Sequence, residues 1–185
     1  MARYRKVDPR IWNDARFIKL CDRGKLAFLF ILTHPHMTSL GAMRATTSGL
    51  AAELGWSAKQ FDDAIALAIS SGMVEANRDA SYVGLPRFLR YNEPEGPNSV
   101  NKAWLEALGL IPECDEKHIL IARCRKYLDQ KSERFRESLP DEIWMAFDMP
   151  SKMPSDMATD DPCQIQEQEQ EQEQKQKQKQ TNKAG

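Results

Sequence analysis

Residues 49–85, GLAAELGWSAKQFDDAIALAISSGMVEANRDASYVGL, decide the fold. Leu50, Ala51 and Leu54 fall at i, i+1 and i+4, so they share one face of a short helix that begins near Thr47 or Ser48 and ends at Gly55. Ser57 and Gln60 form a capping box, in which the Ser57 hydroxyl accepts the Gln60 N–H and the Gln60 side chain accepts the Ser57 N–H. A second helix therefore starts at once. Phe61, Ile65, Ala68 and Ile69 give it an apolar stripe, and Gly72 stops it. Two helices joined by so short a turn cross steeply, which is the helix-turn-helix arrangement.

After Gly72 the period changes. Residues 73–76 and 81–85 are predicted to be extended around Asn77-Arg78-Asp79-Ala80, where Asn and Asp favour a turn. Upstream, 37–46 contains a short strand that would pair with this hairpin. Asp14 is expected to cap a short helix carrying Phe17 and Leu20, and Asp22 a longer one over 23–33. Leu26, Leu29, Phe30 and Thr33 are the expected buried stripe of that helix, widened by Phe28 and Ile31. Three more helices are predicted: about 100–108, ended by Gly109; 115–130, with Leu120, Ile121, Cys124, Tyr127 and Leu128 as its apolar side; and 140–147. In the last, Ile143, Trp144 and Phe147 form a stripe that fits either the body or a partner. The expected fold class is mainly α with a small β-sheet. A winged helix-turn-helix domain over 1–92 is followed by a helical extension over 93–148, which starts at the linker-like 93–98. The Gln/Glu/Lys tail over 149–185 is too polar to bury a core and is expected to be disordered.

The formal charge of −1 hides an asymmetry. Residues 1–90 hold 13 Lys and Arg against 8 Asp and Glu, whereas 91–149 hold 8 against 12. That split suits a first part facing phosphate and a second facing something else. Cys21, Cys114, Cys124 and Cys163 form no CxxC pair, so reduced thiols are expected rather than a zinc ribbon or a disulfide framework. The N-terminus has no apolar h-region, and the longest apolar run, 26–32, is too short to span a bilayer. A cytoplasmic protein of a bacterial host cell, with no membrane partner, is the expectation. No phosphate-binding loop, HExxH or nucleophile with a base at motif spacing is present, so neither an enzyme nor a cofactor is expected. His34 and His36 flank Pro35 without ligands at metal spacing, and a polar helix exit is the favoured reading over a metal site.

Two basic stretches carry the candidate DNA contacts. Arg3, Arg5 and Lys6 lie among aromatic residues in an N-terminal arm that fits a phosphate backbone or, equally, a short edge strand. Arg87, Arg90 and Tyr91 alternate cation and ring after the hairpin, a pattern that grips phosphate and stacks on bases, or that marks a strand edge. Lys59 and Gln60 stand at the start of the second helix, where base contacts are made, and Arg78 stands in the turn. Asp62 and Asp63 oppose a phosphate backbone, which shifts the expected contact toward Arg78, Arg87, Arg90 and the arm.

YRKVDPRIWND, GKLAFLFILTHPHMTSLGAMRAT, the helix-turn-helix and FLRYNEPEGPNSV together resemble the winged-helix replication proteins of phages and prophages. These are replisome organisers similar in their N-terminal halves to DnaD-like and O-protein-like initiators. The resemblance covers roughly residues 3–105. It implies binding of origin or single-stranded DNA through the winged helix, and recruitment of a replicative helicase or its loader through the C-terminal part. DNA strandedness and homo-oligomerisation stay open. A phage transcriptional regulator and a protein-binding adaptor or inhibitor acting on a host protein are the alternatives.

Overall fold

The structure, a computed structural model, describes residues 4–148. Arg3, Cys163 and the tail expected over 149–185 lie outside the described residues. Asp14 accepts the Arg16 N–H at 2.9 Å and opens α1 (Ala15–Lys19). The Cys21 sulfur, where the sequence pointed to Asp22, accepts the Gly24 N–H at 3.4 Å and opens α2 (Asp22–Thr33). β1 (Ala42–Arg44) leads to α3 (Thr47–Glu53), which Gly55 ends at φ +68°. The capping box then forms, with Gln60 N–H to Ser57 Oγ at 3.2 Å and Ser57 N–H to Gln60 Oε1 at 2.9 Å, and starts α4 (Ala58–Ser70). β2 (Glu75–Asn77) and β3 (Tyr82–Gly84) follow, joined by a turn in which Asn77 Oδ1 accepts the Ala80 N–H at 3.0 Å. The remaining helices are α5 (Phe88–Tyr91), α6 (Pro97–Leu110), α7 (Asp115–Asp129), α8 (Glu133–Glu137) and α9 (Asp141–Phe147). No helix among the described residues is long and apolar enough to cross a membrane.

The strands pair antiparallel in the order β1-β3-β2, and their alternation builds two cores. Met43 and Val83 enter the first, with Phe17, Ala27, Ile31, Phe61 and Ile65. Ala42 and Tyr82 point the other way into the second, with Trp104, Cys124, Leu128, Ile143 and Phe147. The sheet is thus a wall between α1–α4 and the helices α6, α7 and α9. Residues on both sides of position 92 share the second core. Burial there pushes the Cys124 thiol up to about 12, so it packs as an apolar group.

Several expectations are corrected. In α2, Leu26 is 51% exposed and Thr33 is exposed, while Gly24, Ala27, Ile31 and Leu32 are buried. The reason is close approach: a Cβ on Gly24 would stand 2.9 Å from the Ala64 carbonyl, so the smallest residues of α2, not the largest, mark its line against α4. Ile69 is 40% exposed, and Ala64 takes its place in the stripe. Over its described residues, from Tyr4 on, the arm is no edge strand. Asp8 accepts the Arg10 N–H at 2.9 Å and Pro9 follows it, which sets a 3-10 turn over Pro9–Asn13. Residues 87–92 are no strand edge either, because the Phe88 carbonyl accepts the Asn92 N–H at 2.9 Å and closes a helical turn. Gly109 lies inside α6, and α8 was not anticipated. Ile143 and Phe147 are buried against the body, so the stripe of α9 is core.

Candidate functional site

The structure divides the predicted contact residues between two places. Arg5, Lys6, Arg87, Arg90 and Tyr91 gather where the arm meets α5. The Arg5 guanidinium donates to the Met37 carbonyl and lies 5.4 Å over the Phe88 ring, so its side chain fixes the arm to the body. Lys6 is held by its backbone: its N–H donates to Asn92 Oδ1 at 2.8 Å, and Asn92 Nδ2 donates to its carbonyl at 3.3 Å. The Lys6 side chain is left at an exposed position. Arg87 is the N-cap of α5 and Arg90 lies within it, three residues on, with the Arg90 guanidinium 5.8 Å from the Tyr91 ring centroid. Arg10 joins this end and pairs with Asp8 at 2.6 Å; the hydrogen bond raises the Arg10 pKa and lowers that of Asp8. A cleft of about 350 Å³ runs between the arm and α6, with Tyr4 and Lys6 on one wall and Glu95, Ala103 and Glu106 on the other.

Lys59, Gln60 and Arg78 stand elsewhere, on α4 and the hairpin turn. β3 separates this turn from α5, and three residues of strand span about 10 Å. The charges here are internally matched. Lys59 Nζ pairs with Asp63 at 2.8 Å, one turn on, which raises the lysine pKa. Arg78 Nη2 lies 3.0 Å from Asp62 Oδ1, without the alignment of a hydrogen bond. Gln60 is committed to its capping box. Leu67 and Ile69 add exposed apolar surface to α4, at 44% and 40%.

No protein-family model matches the chain, and neither a curated protein nor a solved structure matches it.

His34 is buried, and its ring is fully assigned by its neighbours. The His36 N–H donates to Nδ1 at 3.1 Å, so the ring proton sits on Nε2 and faces Glu53 Oε2 at 2.9 Å. This closes the exit of α2 onto the end of α3. Among the described residues no group of three His, Cys, Asp or Glu is placed to hold a metal ion. Sequence reasoning missed Asn92, which seats the arm. Its position next to Tyr91 was visible, but its partner lies 86 residues away and only the fold supplies it.

Proposed function

We propose that the chain is a DNA-binding protein of winged-helix type, acting as a phage-type replication organiser with a binding rather than a catalytic role. The supporting architecture is α2, β1, α3, α4 and the β2–β3 hairpin, with strands in the order β1-β3-β2. The observation that carries the reading is the cationic end: Arg5, Lys6, Arg10, Arg87 and Arg90 meet beside Tyr91, with Asp8 paired to Arg10 and with Glu93, Glu95 and Glu106 along the adjoining cleft. In this reading DNA docks at the arm and α5 rather than along α4. Recruitment of a helicase or its loader follows from the resemblance, and the acidic helical extension is its natural place. A second reading, a protein-docking adaptor, is favoured at α4 alone, where Lys59–Asp63 and Arg78–Asp62 cancel and Leu67 and Ile69 are exposed.

Fluorescence anisotropy with single- and double-stranded oligonucleotides at two salt concentrations tests the proposal. Affinity should fall steeply with salt. Arg87→Ala with Arg90→Ala should reduce the duplex salt slope by roughly 1.8, the counterion release of two phosphate contacts, without unfolding the protein. An unchanged slope removes α5 from the contact, and salt-independent or absent binding favours the adaptor.

A further inference from the structure

A row of polar side chains on α7 reaches the two ends of the sheet. Glu116, Arg123, Tyr127 and Lys131 follow one another at intervals of seven, four and four, so they share one side of the helix and its exit. At the hairpin end, Arg123 grips Glu75 with both guanidinium nitrogens, at 2.8 and 2.5 Å, and Glu116 Oε2 accepts from Asn77 Nδ2 at 2.9 Å. Strand alternation explains why these two partners are available. Asn77 pairs with Tyr82 and Glu75 with Gly84, two residues on along β3, so both face the same side as Tyr82 and look toward α7. At the other end, Tyr127 Oη donates to Glu93 Oε2 at 3.1 Å, and Lys131 Nζ donates to the same oxygen at 2.6 Å. The Lys131 ammonium also lies 4.1 Å from the Tyr127 ring centroid, which holds the two donors together.

Glu93 is the residue after Asn92, whose side chain seats Lys6. We infer that Tyr127 and Lys131, acting through Glu93, are positioning residues for the cationic end, with α7 as a strut anchored at the hairpin by Arg123 and Glu116. This rests on the proposed DNA reading for its consequence, and it gives the helical extension a part in the contact surface without touching DNA. The carboxylate makes the inference unusually easy to test, because its charge and its anchoring role act in opposite directions. As a charge, Glu93 repels phosphate and opposes binding. As an anchor, it holds Asn92 and therefore the arm.

The experiment uses the full chain with Glu93→Ala and, as a charge-neutral companion, Tyr127→Phe. Hydrogen exchange at the Lys6 amide reports seating directly, since that N–H is donated to Asn92. Anisotropy with a fluorescent oligonucleotide at low salt reports the consequence. For Glu93→Ala, exchange at Lys6 should quicken by about tenfold, the factor that goes with loss of a charge-assisted hydrogen bond, while amides in α2 keep their protection. DNA affinity should fall although a negative charge has been removed. Tyr127→Phe should move both readouts in the same directions by less. Unchanged Lys6 exchange with tighter DNA binding overturns the inference, because Glu93 would then be only a charge. Loss of protection throughout α2 would mark general unfolding, and Tyr127→Phe then decides between the two outcomes. A parent chain that binds no DNA defeats the proposed function instead, and the Lys6 exchange still decides whether α7 holds the arm.

Discussion

Replacing Gly41 by alanine probes how the α5 end is held. Gly41 has φ +82°, and an added methyl would overlap Cβ and Cγ of Phe88 and stand 2.9 Å from its Cδ1. Phe88 is the first residue of α5, is 4% exposed, and carries the Arg5 guanidinium on its face. Two costs therefore add. The left-handed backbone costs an L-residue ~1–2 kcal/mol, and forcing a packed ring to move costs a further ~1–3 kcal/mol. Together they give ~2–5 kcal/mol. Gly55→Ala is the control: its φ is +68° but no heavy atom lies within 4 Å of the added Cβ, so only the backbone strain remains. That variant should lose ~1–2 kcal/mol. Urea unfolding at neutral pH measures both, with the slope m checked for constancy. Equal losses in the two variants would refute the reasoning, since they would mean that Phe88 yields freely. A larger loss for Gly41→Ala should come with faster exchange at the Lys6 amide, because the displaced ring is the seat of Arg5.

Three further outcomes follow from the same geometry. Ser57→Ala removes one half of the capping box on α4 and should cost ~1 kcal/mol in urea unfolding, within the usual ~0.5–2 kcal/mol for an N-cap. Ile143→Ala truncates a fully buried side chain of the second core; a loss of ~2–5 kcal/mol is expected, and a near-neutral result would detach α9 from the body. Acid should destabilise the protein. The Arg16 hydrogen bond lowers Asp14, the Lys131 hydrogen bond lowers Glu93, and for Glu116 the bond from Asn77 helps outweigh the upward push of burial. Groups depressed in the folded state stabilise it above their ordinary values, 3.8 for Asp and 4.5 for Glu, and that stabilisation is lost as pH falls through the folded values. The stability curve should thus be flat near neutrality and drop below about 4.5, with Asp14→Asn showing a shallower drop.

The helix starts and stops that were legible are local ones: Ser57 with Gln60, Asp14 with the next turn, and Gly55 and Gly72 each carry their own instruction, whereas Asp22 and Gly109 misled. The β2–β3 hairpin was legible for the same reason, and β1 as a short extended run between turn signals. What periodicity could not reveal was which side of α2 is buried. An apolar helix is ambiguous in phase, and here the close approach is made at Gly24, with Ala27 buried beside it, residues with little hydrophobic weight. Lys117, buried within the apolar side of α7, was likewise hidden: its ammonium is satisfied by the Ile111 carbonyl at 3.1 Å and by Glu113, in a loop that spacing alone does not fold back. At the site, each cation was visible but its partner was not. Lys59–Asp63 obeys the helical i, i+4 rule, whereas Arg78–Asp62 and Asn92–Lys6 join segments that only the tertiary fold brings together.

That pairing decides which end of the protein a polyanion should prefer. An exposed ion pair is worth only ~0–1 kcal/mol, so phosphate could displace Asp62 from Arg78 or Asp63 from Lys59 at little cost. The displaced carboxylates would nevertheless stay within a few ångströms of the DNA. Lys59 and Arg78 stand against Asp62, Asp63 and Asp79, so α4 and the hairpin turn together repel slightly more than they attract. At the arm and α5, Arg5, Lys6, Arg10, Arg87, Arg90 and Lys131 stand with Asp8, Glu93, Glu95 and Glu106, so this end keeps a modest cationic excess even with Arg10–Asp8 and Lys131–Glu93 paired. Counterion release rewards each cation brought to a phosphate and offers nothing for a neutral pair. On the proposed reading a polyanion is therefore expected at the arm and α5, and α4 is expected to face a partner that matches its alternating charges beside Leu67 and Ile69.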